Sequence, residues 1–95
     1  MTRSVLVTGA SKGIGRAIAL RLAADGFTVI VHFHSDEQGA RDTLQQIETA
    51  GGMGRVLGFD IADREMCRTR VEADIELHGA YYGVVNNAGI TRDGA

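Results

Sequence analysis

The sequence predicts an α/β fold with a doubly wound parallel sheet, in the order β-α-β-α-β-α-β. Short apolar runs alternate with longer amphipathic segments along the chain, and such alternation is typical of parallel strands joined by helical crossovers. The run at residues 29–31 is apolar at every position, which suits a strand covered by helices on both faces. We therefore expect three layers, α/β/α, once the sheet is complete.

The first helix is predicted between two short strands. A short apolar run at residues 5–7 precedes a segment over residues 13–24 whose apolar positions recur at helical spacing. Gly26 follows at a place where a helix end favours a residue with positive φ, and residues 27–31 form the second strand. The apolar positions expected to be buried in this helix are Ile14, Ala17, Ile18 and Leu22.

The second helix is expected to begin at Ser35 or Asp36. Ser35 and Gln38 have the spacing of a capping box, in which two side chains satisfy free backbone N–H groups at a helix start. Gly51 and Gly52 are expected to end this helix. Its expected buried stripe consists of Ala40, Leu44 and Ile47.

The second half of the chain predicts two more strands and a third helix. Residues 56–59 form the third strand, which Asp60 closes. Asp63 is expected to cap the third helix, which ends near Gly79, and the fourth strand runs from about residue 82 to residue 86. The expected buried face of the third helix consists of Cys67, Val71 and Ile75.

Composition argues against several classes of protein. Lys and Arg total 10 against 12 for Asp and Glu, a net charge of −2, so no nucleic-acid partner is expected. The single cysteine, Cys67, excludes an internal disulfide framework and a zinc site built on cysteines. No stretch approaches the roughly 18 apolar residues of a membrane span, and the N-terminal apolar run is too short for a signal peptide. The default expectation is a cytoplasmic protein.

The most informative segment is the glycine-rich turn between the first strand and the first helix. Gly9 permits a tight turn, Gly13 lets the backbone approach a pyrophosphate, and Gly15 lets the helix pack on the sheet. A helix N-terminus also offers free N–H groups and a partial positive charge, which suit a phosphate. Arg16 and Ala17 stand where a P-loop needs Lys and Ser or Thr, so ATP or GTP hydrolysis is disfavoured. The alternative is a glycine-rich turn that binds no ligand.

Three motifs together resemble the short-chain dehydrogenase/reductase family. Residues 8–15 read Thr-Gly-Ala-Ser-Lys-Gly-Ile-Gly, Asp60 follows the third strand, and residues 86–89 read Asn-Asn-Ala-Gly at the end of the fourth. The resemblance covers essentially the whole chain and implies a Rossmann-type fold. Within the family, residues 86–93 are most similar to the 3-oxoacyl-[acyl-carrier-protein] reductases.

The resemblance also implies where a dinucleotide would bind. The turn would surround the adenosine ribose and its phosphate, with the backbone N–H of Ile14 directed at the pyrophosphate. Asp60 would accept from the adenine amino group, the alternative being a cap or turn former, and Asn87 would tie neighbouring strands together. The expected coenzyme-binding residues are Gly9, Ala10, Ser11, Lys12, Gly13, Ile14, Gly15, His34, Asp60, Ile61, Asn86, Ala88 and Gly89.

The end of the second strand favours NADP over NAD. NAD enzymes place a carboxylate there to accept from the ribose 2′-OH, whereas this position is Phe33. Lys12 offers a positive charge to a 2′-phosphate, and His34 and Ser35 offer hydrogen bonds. The alternatives are a solvated Lys12 and, if the register differs by a few residues, a ribose contact from Asp36.

Three other features have simpler interpretations. His32 and His34 share one strand face at spacing i, i+2, but no further ligand accompanies them, so metal binding is disfavoured. Cys67 falls on an apolar helix face and is interpreted as a core residue. Neither Tyr81 nor Tyr82 is followed by a lysine four residues later, so neither matches the family's catalytic tyrosine.

The expected function is the NADP(H)-binding N-terminal portion, over residues 1–95, of a single-domain Rossmann-fold reductase. The family transfers hydride to a carbonyl with a Ser and a Tyr-x-x-x-Lys motif, and Lys12 is the only lysine here, so no catalytic residue is assigned. The resemblance implies an acyl-carrier-protein thioester or another small carbonyl substrate for the parent enzyme, and a homo-oligomer, as a tetramer. The alternative is a non-catalytic nucleotide-binding remnant or interaction module.

Overall fold

A computed structural model describes residues 3–88, which form one parallel sheet with helices on both faces. The strands are β1 (Ser4–Val7), β2 (Thr28–Phe33), β3 (Met53–Gly58) and β4 (Gly83–Val85). The helices are α1 (Gly13–Ala24), α2 (Glu37–Thr49) and α3 (Arg64–His78). Helices and strands alternate as predicted, so the chain has the expected Rossmann-type α/β fold.

The order of the strands places a change of direction beside β1. The order is β3-β2-β1-β4, so the chain moves from β1 through β2 to β3 and then returns to pair β4 with the other side of β1. All three pairings are parallel. In open parallel sheets, ligands bind outside the carboxyl ends of the strands at such a switch point. Here that point lies between Val7 and Val85, which are partners at the ends of β1 and β4.

Two apolar cores, one on each face of the sheet, hold the layers together. Successive residues of a strand point to opposite faces, so Val7 belongs to one core and Leu6 to the other. The core under α1 and α2 contains Val5, Val7, Ala10, Ala19, Ala23, Val29, Val31, Ala40 and Ile47. The core under α3 contains Leu6, Ile30, Leu57 and Phe59, with Cys67, Val71 and Tyr81 packed against it.

The strands differ in length from their apolar runs. The prediction of residues 27–31 for β2 is wrong at both ends, because parallel pairing with β3 continues to Phe33. β3 begins at Met53, ahead of the predicted residues 56–59, and β4 spans only Gly83–Val85. Backbone hydrogen bonds to the neighbouring strand define these ends, and such bonds need no apolar side chain at each position.

Helix α1 spans the predicted residues but buries a different face. Ile14 is 74% exposed, Ala17 is also exposed, and only Ile18 and Leu22 of the predicted stripe are half-buried. Small residues at spacing i, i+4, i+8 let the helix approach the sheet closely, and the large apolar residues flank that contact. The buried residues of α1 are Gly15, Ala19 and Ala23.

Aspartates cap the other two helices. The side chain of Asp36 accepts a backbone N–H of the first turn of α2 at 3.0 Å. The predicted capping box of Ser35 and Gln38 is therefore wrong, and Gln38 donates to Asp42 instead. Asp63 caps α3 as predicted, through a bond of 3.0 Å.

Glycines with positive φ stand at the ends of α1 and α3. Gly26 has a φ of 99°, as its position after α1 predicted, and Gly79 has the same value. None of the helices within residues 3–88 is long and apolar enough to cross a membrane.

Candidate nucleotide-binding site

A crevice of about 390 Å³ opens at the carboxyl ends of β1, β2 and β3. Its walls come from the turn after β1, from the end of β2 and the segment before α2, and from the residues after β3 and β4. The lining residues are Gly9, Ser11, Lys12, His32, Phe33, His34, Ser35, Asp36, Asp60, Ile61 and Ala88. The crevice therefore lies where the switch point predicts a ligand.

Gly9 is held from both sides. Its backbone N–H donates to Nδ1 of His32 at 3.0 Å, and its carbonyl oxygen accepts from Nδ2 of Asn87 at 3.1 Å. Its φ is 63°, a conformation that residues with a Cβ rarely adopt. A Cβ here would also lie 3.2 Å from Cβ of Ala88. The first glycine of the turn is thus required by its backbone conformation as well as by its neighbours.

Gly15 places the start of α1 directly against the turn. A Cβ on Gly15 would overlap the carbonyl oxygen of Gly9 and would lie 2.8 Å from Nδ2 of Asn87. Only glycine lets the first turn of α1 contact the strand end this closely. The predicted role of Gly15 in helix packing is therefore consistent with its surroundings.

The N-terminus of α1 has no side-chain cap. Lys12 occupies the N-cap position with extended backbone, and its side chain makes no capping hydrogen bond. Asp36 and Asp63 cap the two other helices of residues 3–88. An uncapped N-terminus leaves backbone N–H groups available to an anion, and the helix dipole favours negative charge there. The exposed Ile14 lies in this first turn.

Thr8 joins the end of β1 to the end of β4. Its hydroxyl accepts the backbone N–H of Ala88 at 3.0 Å and lies 3.3 Å from both the carbonyl oxygen of Val85 and Oδ1 of Asn86. Thr8 is buried. No role for this hydroxyl was predicted from the sequence, although a polar side chain directly after a buried apolar run is a sign of such a bond.

A second polar network fixes α2 to the glycine turn. Nε of Arg16 donates to the Thr43 hydroxyl at 2.8 Å, and Nη2 donates to the carbonyls of Ser11 and Gly39 at 2.6 and 3.0 Å. The buried Thr43 hydroxyl in turn lies 2.8 Å from the carbonyl oxygen of Ala10. These bonds join α1, α2 and the turn, so the position of the turn is set from three directions.

Asp60 is both a turn former and a crevice residue. Its Oδ1 accepts the backbone N–H of Ala62 at 2.9 Å, which agrees with the alternative interpretation of this residue. Its Oδ2 lies 3.6 Å from Nε2 of His34, across the mouth of the crevice. Both side chains are substantially exposed. The second oxygen remains within reach of a ligand, and the proposed bond to adenine stays a prediction.

His32 is the site residue that the sequence interpretation missed. It is buried and lines the crevice. Its ring nitrogens bond to the backbone N–H of Gly9 and, at 2.8 Å, to the carbonyl oxygen of Phe59. His34 lies one residue beyond the end of β2 and is exposed, and both histidines line the crevice. Within residues 3–88 no group of three or more potential metal-ligating side chains is present.

Phe33 stands at the end of β2, where the register placed it. Its ring packs on Gly58, where a Cβ would lie 2.5 Å from Cζ of Phe33. Asp36, the alternative ribose acceptor, lines the same crevice, but its Oδ1 is bonded to the backbone of α2. The crevice therefore presents an aromatic ring at the position where NAD enzymes hold a carboxylate.

The crevice brings together about half of the predicted coenzyme residues. Those that line it are Gly9, Ser11, Lys12, His34, Asp60, Ile61 and Ala88. Ala10 is fully buried in the core, and Gly13, Ile14, Gly15 and Asn86 do not line it. Gly89 lies outside the described residues.

A separate polar cluster lies on the α3 side of the sheet, away from this crevice. Asp74 of α3 accepts from Arg55 at 2.9 and 2.6 Å and from the Tyr81 hydroxyl at 2.7 Å. Burial and the Asp74 carboxylate raise the pKa of Tyr81 well above its ordinary value. The Tyr81 hydroxyl is bonded to Asp74 and does not line the crevice, so its observed contacts are structural.

Comparison with known proteins identifies the family. The family model described as short chain dehydrogenase matches residues 3–95, so this chain belongs to the short chain dehydrogenase family.

The relatives are longer than this chain. It is 50% identical over all of its 95 residues to the 3-oxoacyl-[acyl-carrier-protein] reductase FabG of Aggregatibacter actinomycetemcomitans, and it spans 39% of that protein. Among solved structures it is similar to acetoin dehydrogenase from Enterobacter cloacae, with a TM-score of 0.85 and 38% identity over 96% of this chain and 36% of that one. It is also similar to the landomycin C-6 ketoreductase LanV with bound NADP and rabelomycin, with a TM-score of 0.79 and 35% identity over 93% and 38%.

Proposed function

We propose that this chain forms the NADP(H)-binding part of a short-chain reductase. The observation that carries the proposal is the glycine turn at the uncapped N-terminus of α1, which opens onto the crevice at the switch point of the sheet. Free N–H groups at a helix start, together with the helix dipole, suit a diphosphate. The coenzyme would lie along Gly9, Ser11 and Lys12, with its adenine end towards Asp60 and Ile61. Gly13, Ile14 and Gly15 would face the diphosphate, and Asn86, Ala88 and Gly89 the ribose.

Charge at the adenosine end supports NADP over NAD. Lys12 and His34 line the crevice beside Phe33, so a 2′-phosphate would find a cation and a hydrogen-bonding ring near it. Phe33 has no carboxylate that would repel the phosphate. The relative LanV has NADP bound in its crystal structure, which agrees with this preference.

The reaction proposed for the parent protein is reduction of a 3-oxoacyl group carried as an acyl-carrier-protein thioester. Support comes from the 50% identity with the FabG of A. actinomycetemcomitans. When bound, the reduced nicotinamide supplies the hydride in such chemistry. This chain contributes the residues that hold and orient the adenosine half of the coenzyme. Lys12 is its only lysine, so the proton donor and its lysine would come from residues outside residues 1–95.

Calorimetric titration with NADP⁺ and NAD⁺ tests the coenzyme proposal. We expect tighter binding of NADP⁺, and Lys12→Ala should weaken NADP⁺ binding roughly tenfold while leaving NAD⁺ nearly unchanged, because a charge-assisted contact to one phosphate is lost. Arg41→Ala is the matched control, since Arg41 is paired with Glu37 on the exposed side of α2. Equal affinity for the two coenzymes would contradict the preference.

A chimera tests the reductase proposal. Residues 1–95 would replace the matched segment of the A. actinomycetemcomitans relative, which aligns with all 95 residues of this chain and makes up 39% of that protein. We expect the chimera to oxidise NADPH when supplied with a 3-oxoacyl-acyl-carrier-protein. A folded chimera that binds NADPH but reduces no 3-oxoacyl thioester would contradict the proposal.

A further inference from the structure

Two consecutive amides of the glycine turn are held by a single residue of the neighbouring strand. Nδ1 of His32 accepts the N–H of Gly9 at 3.0 Å, and the backbone carbonyl of His32 accepts the N–H of Ala10 at 2.9 Å. His32 is 1% exposed. The position of the turn therefore depends on β2 as well as on the strand that precedes it.

The second ring nitrogen fixes the tautomer of His32. Nε2 lies 2.8 Å from the carbonyl oxygen of Phe59, and a carbonyl can only accept, so Nε2 carries the proton. Nδ1 is then an unprotonated acceptor, as the bond from Gly9 requires. The imidazole also packs against the ring of Phe59, with centroids 4.2 Å apart. Only the neutral ring with its proton on Nε2 satisfies both bonds.

A second proton on the ring would break this arrangement. It would sit on Nδ1 and face the N–H of Gly9, so that two donors would oppose each other in a buried place. Burial lowers the pKa of His32 from its ordinary 6.5; the bond to Phe59 opposes this effect, and the neighbouring His34 adds to it. The other ionisable groups around this crevice are Lys12, His34, Asp36 and Asp60, with Cys67 in the apolar core on the α3 side.

We infer that His32 is a positioning residue of the glycine turn: the neutral ring aligns the turn for a dinucleotide, and protonation of the ring removes this alignment, so that coenzyme affinity falls in acid. The inference rests on the proposed function. His32 also connects the two ends of the crevice, because Phe59 immediately precedes Asp60. A change at one ring thus acts on the phosphate turn and on the adenine side together.

Two substitutions separate the acceptor from the charge. His32→Asn puts an amide oxygen near the place of Nδ1 and does not titrate, whereas His32→Leu removes the acceptor. NADP⁺ affinity would be measured by calorimetry between about pH 8 and about pH 5. Relative to His32→Asn, the unsubstituted chain should bind NADP⁺ about tenfold more weakly at the acid end of this range. His32→Leu should bind NADP⁺ about tenfold more weakly than His32→Asn at every pH. His34, Asp60 and the 2′-phosphate are present in both the unsubstituted chain and His32→Asn, so the difference isolates His32.

A measurement on the unsubstituted chain alone tests the inference even if the variants fail to fold. The nitrogen chemical shifts of the His32 imidazole report its tautomer directly. We expect an unprotonated Nδ1 at neutral pH, and in acid we expect Nδ1 to gain its proton as the amide resonance of Gly9 shifts.

Three outcomes are decisive. Identical pH profiles of NADP⁺ affinity for the unsubstituted chain and His32→Asn would overturn the inference, as would a proton found on Nδ1 of His32 at neutral pH. If the unsubstituted chain failed to bind NADP⁺ at any pH, the proposed function would be overturned, and this inference with it.

Discussion

The side-chain amide of Asn87 donates to the carbonyl oxygen of Gly9 at 3.1 Å, joining two residues that lie 78 positions apart in the sequence. The bond spans the switch point of the sheet, because Gly9 lies just after the end of β1 and Asn87 lies just after the end of β4. The segment that follows β4 thereby supports the turn proposed to hold the diphosphate. Asn87 has the role that the sequence resemblance implied for it, that of tying neighbouring strands together.

Gly15→Ala should destabilise the fold and abolish nucleotide binding. The new Cβ would overlap the carbonyl of Gly9, and backbone cannot move aside cheaply, so we expect a loss of about 2 kcal/mol in the free energy of unfolding. Urea unfolding and NADP⁺ titration measure the two effects. Gly83→Ala is the control, because a Cβ at Gly83 would meet nothing within 4 Å. Equal stability of the two variants would refute the close contact.

Thr43→Val should loosen α2 from the glycine turn. The substitution keeps the shape of the side chain but removes the hydroxyl, leaving Nε of Arg16 and the carbonyl of Ala10 without this partner. Buried polar groups that lose a partner cost about 1–3 kcal/mol. Thr49→Val, at an exposed position of the same helix, should change the free energy of unfolding by less than about 0.5 kcal/mol. Similar losses for the two variants would show that the network contributes nothing.

Asp74→Asn should destabilise the α3 side of the sheet in a pH-dependent way. Burial raises the pKa of Asp74, but the bonds from Arg55 and Tyr81 outweigh it and hold the pKa below its ordinary 3.8. The ionised group therefore stabilises the fold above about pH 4, and this contribution is lost as the pH falls through the lowered pKa. We expect a deficit of about 3 kcal/mol at neutral pH that shrinks in acid.

Urea unfolding at neutral and acid pH checks this prediction. Glu65→Gln is the control, because the pair of Glu65 with Arg68 is exposed and should contribute at most about 1 kcal/mol. A deficit in Asp74→Asn that stays constant with pH would exclude the charge as its cause.

Phe33→Asp should shift the coenzyme preference towards NAD. A carboxylate at the end of β2 would repel a 2′-phosphate and accept from a ribose 2′-OH. Phe33→Asn is the matched control, since both variants lose the ring that packs on Gly58 but only one gains a charge. The ratio of NADP⁺ to NAD⁺ dissociation constants should rise roughly tenfold in Phe33→Asp relative to Phe33→Asn. Equal ratios would place the 2′-phosphate elsewhere.

The order of strands and helices could be predicted because apolar periodicity and glycines mark elements directly. Gly26 and Asp63 occupy the positions expected of them. Element ends and faces were less predictable, because they depend on partners distant in sequence. β2 reaches Phe33 through its pairing with β3, and the small residues of α1 are buried by the sheet that they contact.

The place of the crevice was predictable from the glycine turn, because Gly9 and Lys12 line it as expected, and their contacts with a coenzyme stay predictions. It was not predictable where a side chain bonds across the fold. The buried bonds of His32 and the hydroxyl of Thr8 connect strands that are far apart in the chain, and no local spacing indicates them. The sequence interpretation therefore gave His32 no role in the site.

Amide chemical shifts during titration with NADP⁺ test the central claim most directly, namely that the glycine turn holds the diphosphate of a dinucleotide. We expect saturable shifts at Gly9, Gly13 and Ala88, with none at the apolar groove near Gly26 and Gly51 at the opposite end of the helices. Shifts absent from the glycine turn, or confined to that groove, would contradict the account.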